Sequence, residues 1–319
     1  MPRVMNGVKV VRSRLACAFI LACALTFLPA FGGMAALPIE TTAKAASDSS
    51  KATGASYKQP QKVFVPTMET SDATAIDTTG LSAGYVGASA KSSSRLKFQV
   101  NCGEMTYNYD LPSDGTPTYY PLNMGDGEYG FRIMQNIEGT SYAELDSTYE
   151  KVKLDSEFGP FLAPNIYCSY EAGSDCVKKA LSITKSCKNE GEVVREVCTY
   201  VADHITYDYD KAKVLAKSSG YIPDPDATLK EGKGICFDYA ALSAAMLRCL
   251  GIPAQVVTGY VSPDNLYHAW TMVYIDGSWK SALFSISPKK WSRCDVTFAA
   301  AGASSVTGSG TDYTDRFIF

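Results

Sequence analysis

Histidine is the residue that this sequence has least of: among 319 residues there are two, His204 and His268. Any mechanism that needs an imidazole must therefore use one of these two. The sequence also lacks a Cys-x-x-Cys pair, a His-Glu-x-x-His motif and a Gly-x-x-x-x-Gly-Lys-Ser/Thr loop. These absences argue against a zinc site and against a phosphate-binding loop, and no cofactor is expected.

A large excess of charge of either sign is absent too. The chain has 30 basic and 33 acidic residues, a formal net charge of −3. Residues 46–319 carry 25 basic and 32 acidic residues, a balance of −7. A mildly acidic protein is not expected to bind nucleic acid or an anionic membrane surface. Apolar residues make up 46% of the chain, which is enough to bury a core.

Long apolar runs are confined to the N-terminal region. A basic start precedes an apolar run from Leu15 to about Leu37, and Ala43-Lys44-Ala45 has the pattern of a cleavage site; the basic residues are Arg3, Lys9, Arg12 and Arg14. This layout predicts a secretory signal peptide over residues 1–45. A retained transmembrane anchor and lipidation of Cys23 are the alternatives. We therefore expect a secreted or cell-surface protein, without stable membrane insertion after cleavage, in which residues 46–62 form a flexible linker.

Residues 63–170 have the sequence pattern of a β domain. Arg95–Val100 and Glu128–Met134 alternate polar and apolar side chains, as half-buried strands do. Pro112-Ser113-Asp114-Gly115 is a turn signal. Short strands at this spacing predict a small antiparallel sandwich. This region has no histidine and no cluster of catalytic residue types, so a spacer or binding module is expected.

From residue 171 the periodicity becomes helical, and residues 171–319 are expected to form a second domain. One apolar stripe at helical spacing consists of Val194, Val197, Cys198, Val201 and Ile205. A second helix is predicted from Gly234-Ile235-Cys236 through Leu250, with Gly251 and Pro253 as its stop signal. Strands are predicted at residues 254–261, 268–275, 280–286 and 292–298. Helices followed by antiparallel strands indicate an α+β fold.

Three residues of the second domain have the chemistry of nucleophilic catalysis. Cys236 lies at a helix start, where the partial positive charge favours thiolate over thiol. His268 begins one predicted strand, and Asp295 lies in another. A thiol nucleophile needs a histidine to take its proton, and that histidine needs an acceptor that fixes its tautomer. The alternatives are a buried small side chain for Cys236 and a hydrogen-bonded strand residue for His268; His204 is expected at a helix end, where a cation suits the dipole.

Five stretches of sequence surround these residues: Lys233–Leu242, Met246–Ala254, Gly259-Tyr260, His268-Ala269-Trp270 and, upstream, Tyr200–Asp208. Together they closely resemble the transglutaminase-like superfamily, over roughly residues 175–319. The resemblance implies a papain-like core and a Cys-His-Asp triad for acyl transfer. Cys236 matches the family's nucleophile, and His268 matches its base.

The third triad position is where the sequence departs from the family pattern, in which Asp-Pro-Thr begins four residues after a Trp. The fourth residue after Trp279 is a leucine, whereas the fourth residue after Trp291 is Asp295, followed by Val296-Thr297. We therefore expect Asp295 as the third residue, with an extra strand at residues 280–286 before it. Asp276 is the rival, although an Asp-Gly pair is also typical of a turn.

The resemblance implies a thiol enzyme that acts on peptide or isopeptide amides. Hydrolysis by a peptidase or amidase is the expectation; a protein cross-linking transglutaminase and a non-catalytic cell-surface binding module that kept the fold are the alternatives. Some relatives use calcium, but the acidic loop Asp224-Pro225-Asp226 is too short to argue for it. The order of export signal, linker, β domain and transglutaminase-like domain also resembles some secreted Gram-positive proteins, so the expected partner is a protein or peptide substrate associated with the cell wall.

Besides Cys236, residues 46–319 hold seven cysteines, so at least one of these is free or pairs between chains.

Overall fold

The computed structural model of the chain describes residues 52–68, 74–262, 265–280, 284–301 and 313–319. The predicted signal peptide and the first part of the predicted linker, residues 46–51, lie outside the described residues. Within the described ranges, no helix is long and apolar enough to cross a membrane. The described chain consists of a β-rich half followed by a half of helices and antiparallel strands, which confirms the α+β fold class.

The β-rich half is built from two antiparallel sheets. Its strands are β1 (Thr74–Asp77), β2 (Tyr85–Ala90), β3 (Leu96–Cys102), β4 (Met105–Leu111), β5 (Thr118–Pro121), β6 (Gly127–Glu138) and β7 (Ser141–Val152). One sheet has the order β1-β2-β5 and the other β4-β3-β6-β7. The ring of Phe98 in β3 packs on Tyr120 in β5, with centroids 4.6 Å apart, so the two sheets share one core. The small sandwich expected from the alternating sequence is confirmed.

Five helices open the second half of the described chain, after a short 3₁₀ turn at Gly159–Phe161. They are α1 (Asp175–Ile183), α2 (Glu190–His204), α3 (Tyr209–Leu215), α4 (Pro225–Glu231) and α5 (Cys236–Arg248). Asn189 begins α2 by accepting a hydrogen bond from the Glu192 N–H at 3.0 Å. The predicted apolar stripe of α2 is buried, which orients this helix toward the core. The predicted stop signal of α5 is present too, with Gly251 at a φ of 80°.

A four-stranded sheet lies behind α5 and carries most of the remaining chain. The last elements are β10 (Ala254–Val261), β11 (Leu266–Val273), β12 (Trp279–Lys280), β13 (Ser285–Ile286), β14 (Ser292–Cys294), α6 (Val296–Ala300) and β15 (Tyr313–Ile318); the two-residue strands β8 (Thr206–Tyr207) and β9 (Lys233–Gly234) precede them. The sheet has the order β14-β11-β10-β15 with antiparallel neighbours throughout. Helices packed against an antiparallel sheet match the papain-like core that was expected.

Two of the predicted strands are wrong in their extent. The strand expected at residues 280–286 is divided between β12 and β13, which pair with each other as a small hairpin; residues 281–283 lie outside the described residues. The strand expected at residues 292–298 ends at Cys294, and α6 begins directly after Asp295. The reason is local, because the Asp295 carboxylate accepts the Phe298 N–H at 3.1 Å and so starts a helix where a strand was expected.

The segment at residues 52–62, expected as part of a flexible linker, instead lies against the helical half. Thr53 donates its N–H to the Ser278 carbonyl at 2.8 Å, and Tyr57 donates its N–H to the Lys188 carbonyl at 2.8 Å. The side-chain amide of Gln59 donates to the Leu181 carbonyl at 2.7 Å. Backbone and side-chain hydrogen bonds fix this polar segment, although its composition gives it little apolar surface to bury.

The two halves meet around the end of β15. The ring of Phe319 packs on Tyr107 and Tyr109 of β4, at centroid distances of 5.9 Å each, and on Tyr167 at 4.5 Å. The buried guanidinium of Arg248, at the end of α5, donates to three carbonyls, those of Ala254, Ala163 and Phe319, each at 2.8 Å. One hydrophobic cluster therefore runs from the sandwich into the helical half.

Candidate active site

Cys236 is the first residue of α5, and the backbone before it is tightly constrained. The parallel pairing of β8 with β9 places Tyr207 opposite Gly234, two residues before the thiol. A Cβ atom on Gly234 would lie 2.6 Å from the Cβ of Asp238, so this close approach requires glycine. Ile235 is the N-cap residue of α5, and its side chain makes no capping hydrogen bond. The start of this helix is therefore held by other groups.

Those groups converge on the buried carboxylate of Asp238, in the first turn of α5. Its Oδ2 accepts the Ile235 N–H at 2.8 Å and the Lys211 ammonium at 2.8 Å. Its Oδ1 accepts the Tyr221 hydroxyl at 2.5 Å. Burial and the adjacent Asp238 carboxylate hold the pKa of Tyr221 well above its ordinary value, so the phenol stays a donor. Sequence reasoning missed this cluster, although an acidic residue in the first turn of a helix was a signal for it.

His268 lies in β11 and is buried, with 4% of its surface exposed. Its Nε2 is 2.9 Å from Oδ2 of Asp295, and its ring stacks on Phe298 with centroids 4.5 Å apart. Cys236 lies beside the same imidazole, close enough to influence its pKa. Because Nε2 is taken by the carboxylate, Nδ1 is the ring atom left for the thiol. Cys236 itself is 8% exposed, so both reactive side chains are shielded from bulk water.

The electrostatics of this pocket favour the charged form of His268. Burial on its own lowers the pKa of the imidazole, but the charge of Asp295, with a contribution from Cys236, outweighs it and raises the pKa of His268 to about 10. At neutral pH the histidine is therefore an imidazolium beside the sulfur. This is the state in which a thiolate is stabilised by a neighbouring cation.

Asp295 is fully buried and has hydrogen bonds at both carboxylate oxygens. Oδ1 accepts the Phe298 N–H, as described above, and thereby caps α6. Oδ2 accepts both His268 Nε2 and the hydroxyl of Tyr313, the latter at 2.8 Å. The rival residue, Asp276, lies half exposed in its turn and pairs with Lys289 at 3.4 Å. The structure thus places Asp295, and not Asp276, against His268.

Tyr313 and its neighbours were not anticipated from the sequence. The guanidinium of Arg293 lies over the Tyr313 ring, 3.4 Å from the centroid, and the indole of Trp270 meets that ring edge-on at 4.8 Å. Tyr313 follows Asp295 by 18 residues and reaches it only because β15 pairs with β10. The sequence contains no local signal for a contact that depends on this pairing.

The other predicted residues lie outside this cluster. His204 is the last residue of α2, where its Nδ1 lies 2.8 Å from the Tyr200 carbonyl, so it occupies the helix end that was expected. The eight cysteines of the described chain are free thiols. Two of them, Cys198 in α2 and Cys294 in β14, are buried and contact each other beside Asp295. Among the described ranges, no three His, Cys, Asp or Glu side chains come together as a metal-binding group.

Residues 177–295 match the family model of the transglutaminase-like superfamily. This match begins in α1, includes Cys236 and His268, and ends on Asp295. It supports the family resemblance of the second half of the chain and leaves the β-rich half outside the matched region. The matched region therefore contains all three residues that the structure brings together.

Similar proteins match parts of the chain. A UPF0252 protein of Methanocaldococcus jannaschii is 32% identical over 136 residues, which is 40% of this chain and 38% of that protein. An uncharacterized protein of Mycobacterium leprae is 31% identical over 97 residues, 27% of this chain and 31% of that protein. The chain thus spans about a third of the length of the curated relatives it matches. Among solved structures, a proposed cysteine protease from Cytophaga hutchinsonii is 18% identical, with a TM-score of 0.33, covering 72% of this chain and 81% of that one.

Proposed function

We propose that the protein is a thiol acyl-transfer enzyme that cleaves peptide or isopeptide amides through Cys236, His268 and Asp295. The observation that carries the proposal is the position of His268 beside Cys236, with its Nε2 held at 2.9 Å by the buried Asp295 carboxylate. A non-catalytic binding module would not need a buried charged histidine beside a cysteine. The family match over residues 177–295 supports the same reading.

The reaction follows from the protonation state of the pair. The Cys236 thiolate attacks the amide carbonyl, a C–S bond forms, and the carbonyl π electrons move to oxygen. The N–H of Cys236, in the first turn of α5, has no intrahelical acceptor and is a donor for that oxyanion. When the tetrahedral species collapses, the C–N bond breaks and the His268 imidazolium gives its proton to the leaving amine. Asp295 holds the imidazole in the required tautomer and supports its positive charge.

The thioester that remains on Cys236 is resolved by a second acyl transfer. A water molecule attacks the thioester carbonyl, His268 takes its proton, and the thiolate leaves as the carboxylic acid forms. We infer hydrolysis as the main outcome, because water is the default acceptor unless a site excludes it. A primary amine in place of water would give a cross-linked product by the same steps.

Incubation of the purified protein with casein, with and without a fluorescent primary amine, tests the proposal. We expect cleavage of the casein with little incorporation of the amine. Cys236→Ala should reduce this activity by at least about a thousandfold, since it removes the nucleophile. The matched control is Cys249→Ala, which removes a buried thiol at the other end of α5 and should leave the activity intact.

The outcomes separate the candidate functions. Incorporation of the amine in excess of cleavage would assign the protein to the cross-linking class. No reaction with casein or with small peptide amides, in protein whose fold is intact by circular dichroism, would contradict the proposal and favour the binding module. We place the activity outside the cell, at the surface or in the medium, on the basis of the N-terminal sequence pattern.

A further inference from the structure

The environment of Asp295 contains a group that the triad alone does not require. Oδ2 of Asp295 accepts two hydrogen bonds, one from His268 Nε2 at 2.9 Å and one from the Tyr313 hydroxyl at 2.8 Å. The remaining oxygen, Oδ1, is occupied by the Phe298 N–H. Tyr313 therefore competes with the histidine for the charge on a single carboxylate oxygen.

Two neighbouring side chains hold the ring of Tyr313 in place. The Arg293 guanidinium covers its ring at 3.4 Å from the centroid, and Trp270 meets the ring edge-on at 4.8 Å. Burial and the Asp295 charge hold the pKa of Tyr313 well above its ordinary value. The hydroxyl is therefore protonated at neutral pH and donates to Asp295.

We propose that Tyr313 is a positioning residue of the active site. Its hydroxyl fixes the orientation of the Asp295 carboxylate toward His268 and weakens the interaction of that carboxylate with the imidazolium. The inference rests on the proposed function, because it concerns the same three residues. Tyr313 does not touch the reacting atoms, so it acts through Asp295. Arg293 supports it by keeping the phenol ring in place.

The direction of the effect follows from the hydrogen bonds. The Tyr313 hydroxyl stabilises the negative charge of Asp295 and so weakens this carboxylate as a partner for the imidazolium. Removing the hydroxyl leaves Oδ2 to His268 alone, so the pKa of His268 should rise. Removing the carboxylate charge should lower it. The charged and titratable groups that face this pair are Cys236 from α5, Arg293 and Cys294 from β14, and Cys198 from α2.

The test is the titration of His268 in the full chain by ¹H–¹⁵N NMR of the histidine rings. The chain has two histidines, and His204→Gln assigns the signals. We expect Tyr313→Phe to raise the pKa of His268 by about 0.5–1 unit and Asp295→Asn to lower it. The matched control is Tyr129→Phe, which removes a hydroxyl that donates to the Gly125 carbonyl in the sandwich and should leave the titration unchanged.

Kinetics provide the second readout. On a cleaved substrate, Tyr313→Phe should lower kcat about tenfold with KM unchanged, since the hydroxyl does not contact the substrate. The titration does not depend on enzyme activity. If the protein has no acyl-transfer activity, the proposed function is refuted, but the titration still tests the role of Tyr313. A folded Tyr313→Phe protein with an unchanged His268 titration would overturn the inference.

A second variant keeps the test decisive if Tyr313→Phe does not fold. Arg293→Lys preserves the positive charge but removes the planar group that stacks on the phenol ring. We expect a smaller shift of the His268 titration in the same direction. An unchanged titration in Arg293→Lys would then overturn the inference.

Discussion

At the scale of single residues, Asp295 joins local structure and chemistry in one carboxylate. Its Oδ1 starts α6 by capping the Phe298 N–H, and its Oδ2 faces His268. The cap fixes the orientation of the carboxylate plane, and that orientation aims the second oxygen at the imidazole. A side chain with one free oxygen would have to give up one of these two contacts.

The variant Asp295→Asn tests these two roles of the carboxylate, the cap of α6 and the contact with His268. Asp295→Asn keeps an oxygen for one contact but loses the charge that supports the imidazolium, so turnover should fall by about two to four orders of magnitude. Asp276→Asn is the matched control, because Asp276 pairs with Lys289 in an exposed turn and should change turnover less than about threefold. Both values come from initial rates on the same amide substrate. The opposite ranking of the two variants would show that Asp295 is not the third residue.

Specific sequence motifs were sufficient to predict which residues the fold brings together at the candidate site. Cys236 and His268 were predicted from their positions at a helix start and in a strand together with the resemblance to the transglutaminase-like superfamily, and Asp295 was predicted from the Trp-to-Asp spacing of that family. Tyr313 was not predicted, because its contact depends on the pairing of two strands that are distant in the sequence.

At the scale of elements, the start of α5 depends on a buried charge. Asp238 is fully buried, and it binds the Ile235 N–H, the Lys211 ammonium and the Tyr221 hydroxyl. Without the carboxylate, the ammonium and the phenol lose their common partner, and the helix start loses its cap. The short pairing of β8 with β9 would still hold the turn that carries Cys236.

Asp238→Ala should therefore destabilise the protein by about 3 kcal/mol, the cost of breaking a buried ion pair. Urea denaturation followed by circular dichroism measures the change in the free energy of unfolding. The control is Asp210→Ala, which removes an exposed partner of Lys213 on α3 and should cause no measurable change. Equal stability of Asp238→Ala and the parent protein would mean that other contacts hold the start of α5.

The elements themselves were predicted where the sequence pattern is periodic. Alternation revealed the strands of the sandwich, and the stripe in α2 revealed its buried face. The end of β14 and the helix α6 were missed, because the change from strand to helix depends on a cap by a single side chain, that of Asp295. Residues 52–62 were taken as a linker from composition, but Tyr57 and Gln59 make individual hydrogen bonds that composition does not reveal.

At the scale of the whole molecule, the sandwich and the helical half share contacts that neither makes alone. Arg248 binds the carbonyl of Ala163 before the first helix and that of Phe319 at the end of β15. The ring of Phe319 packs among Tyr107, Tyr109 and Tyr167. Separating the halves would expose these rings and take the Ala163 carbonyl away from the buried guanidinium of Arg248.

We therefore expect the two halves to unfold together. Urea unfolding followed by tryptophan fluorescence and by far-UV circular dichroism should give coincident transitions, because the three tryptophans lie in the second half and strands of both halves contribute to the dichroism. Arg248→Met should lower the midpoint of both transitions by the same amount. Two separate transitions would show that the halves are independent and that their contacts contribute little to stability.

The position of β15 near the end of the sequence determines the order in which the residues of the site are synthesised. The sandwich, α5, β11 and Asp295 all emerge from the ribosome before Tyr313 does, and domains that are made first generally fold first. Cys236, His268 and Asp295 are thus all synthesised before the residue whose hydroxyl binds this carboxylate. The six residues of β15 then bring that hydroxyl to the site and, with Phe319 directly after them, an aromatic ring to a sandwich that is already formed.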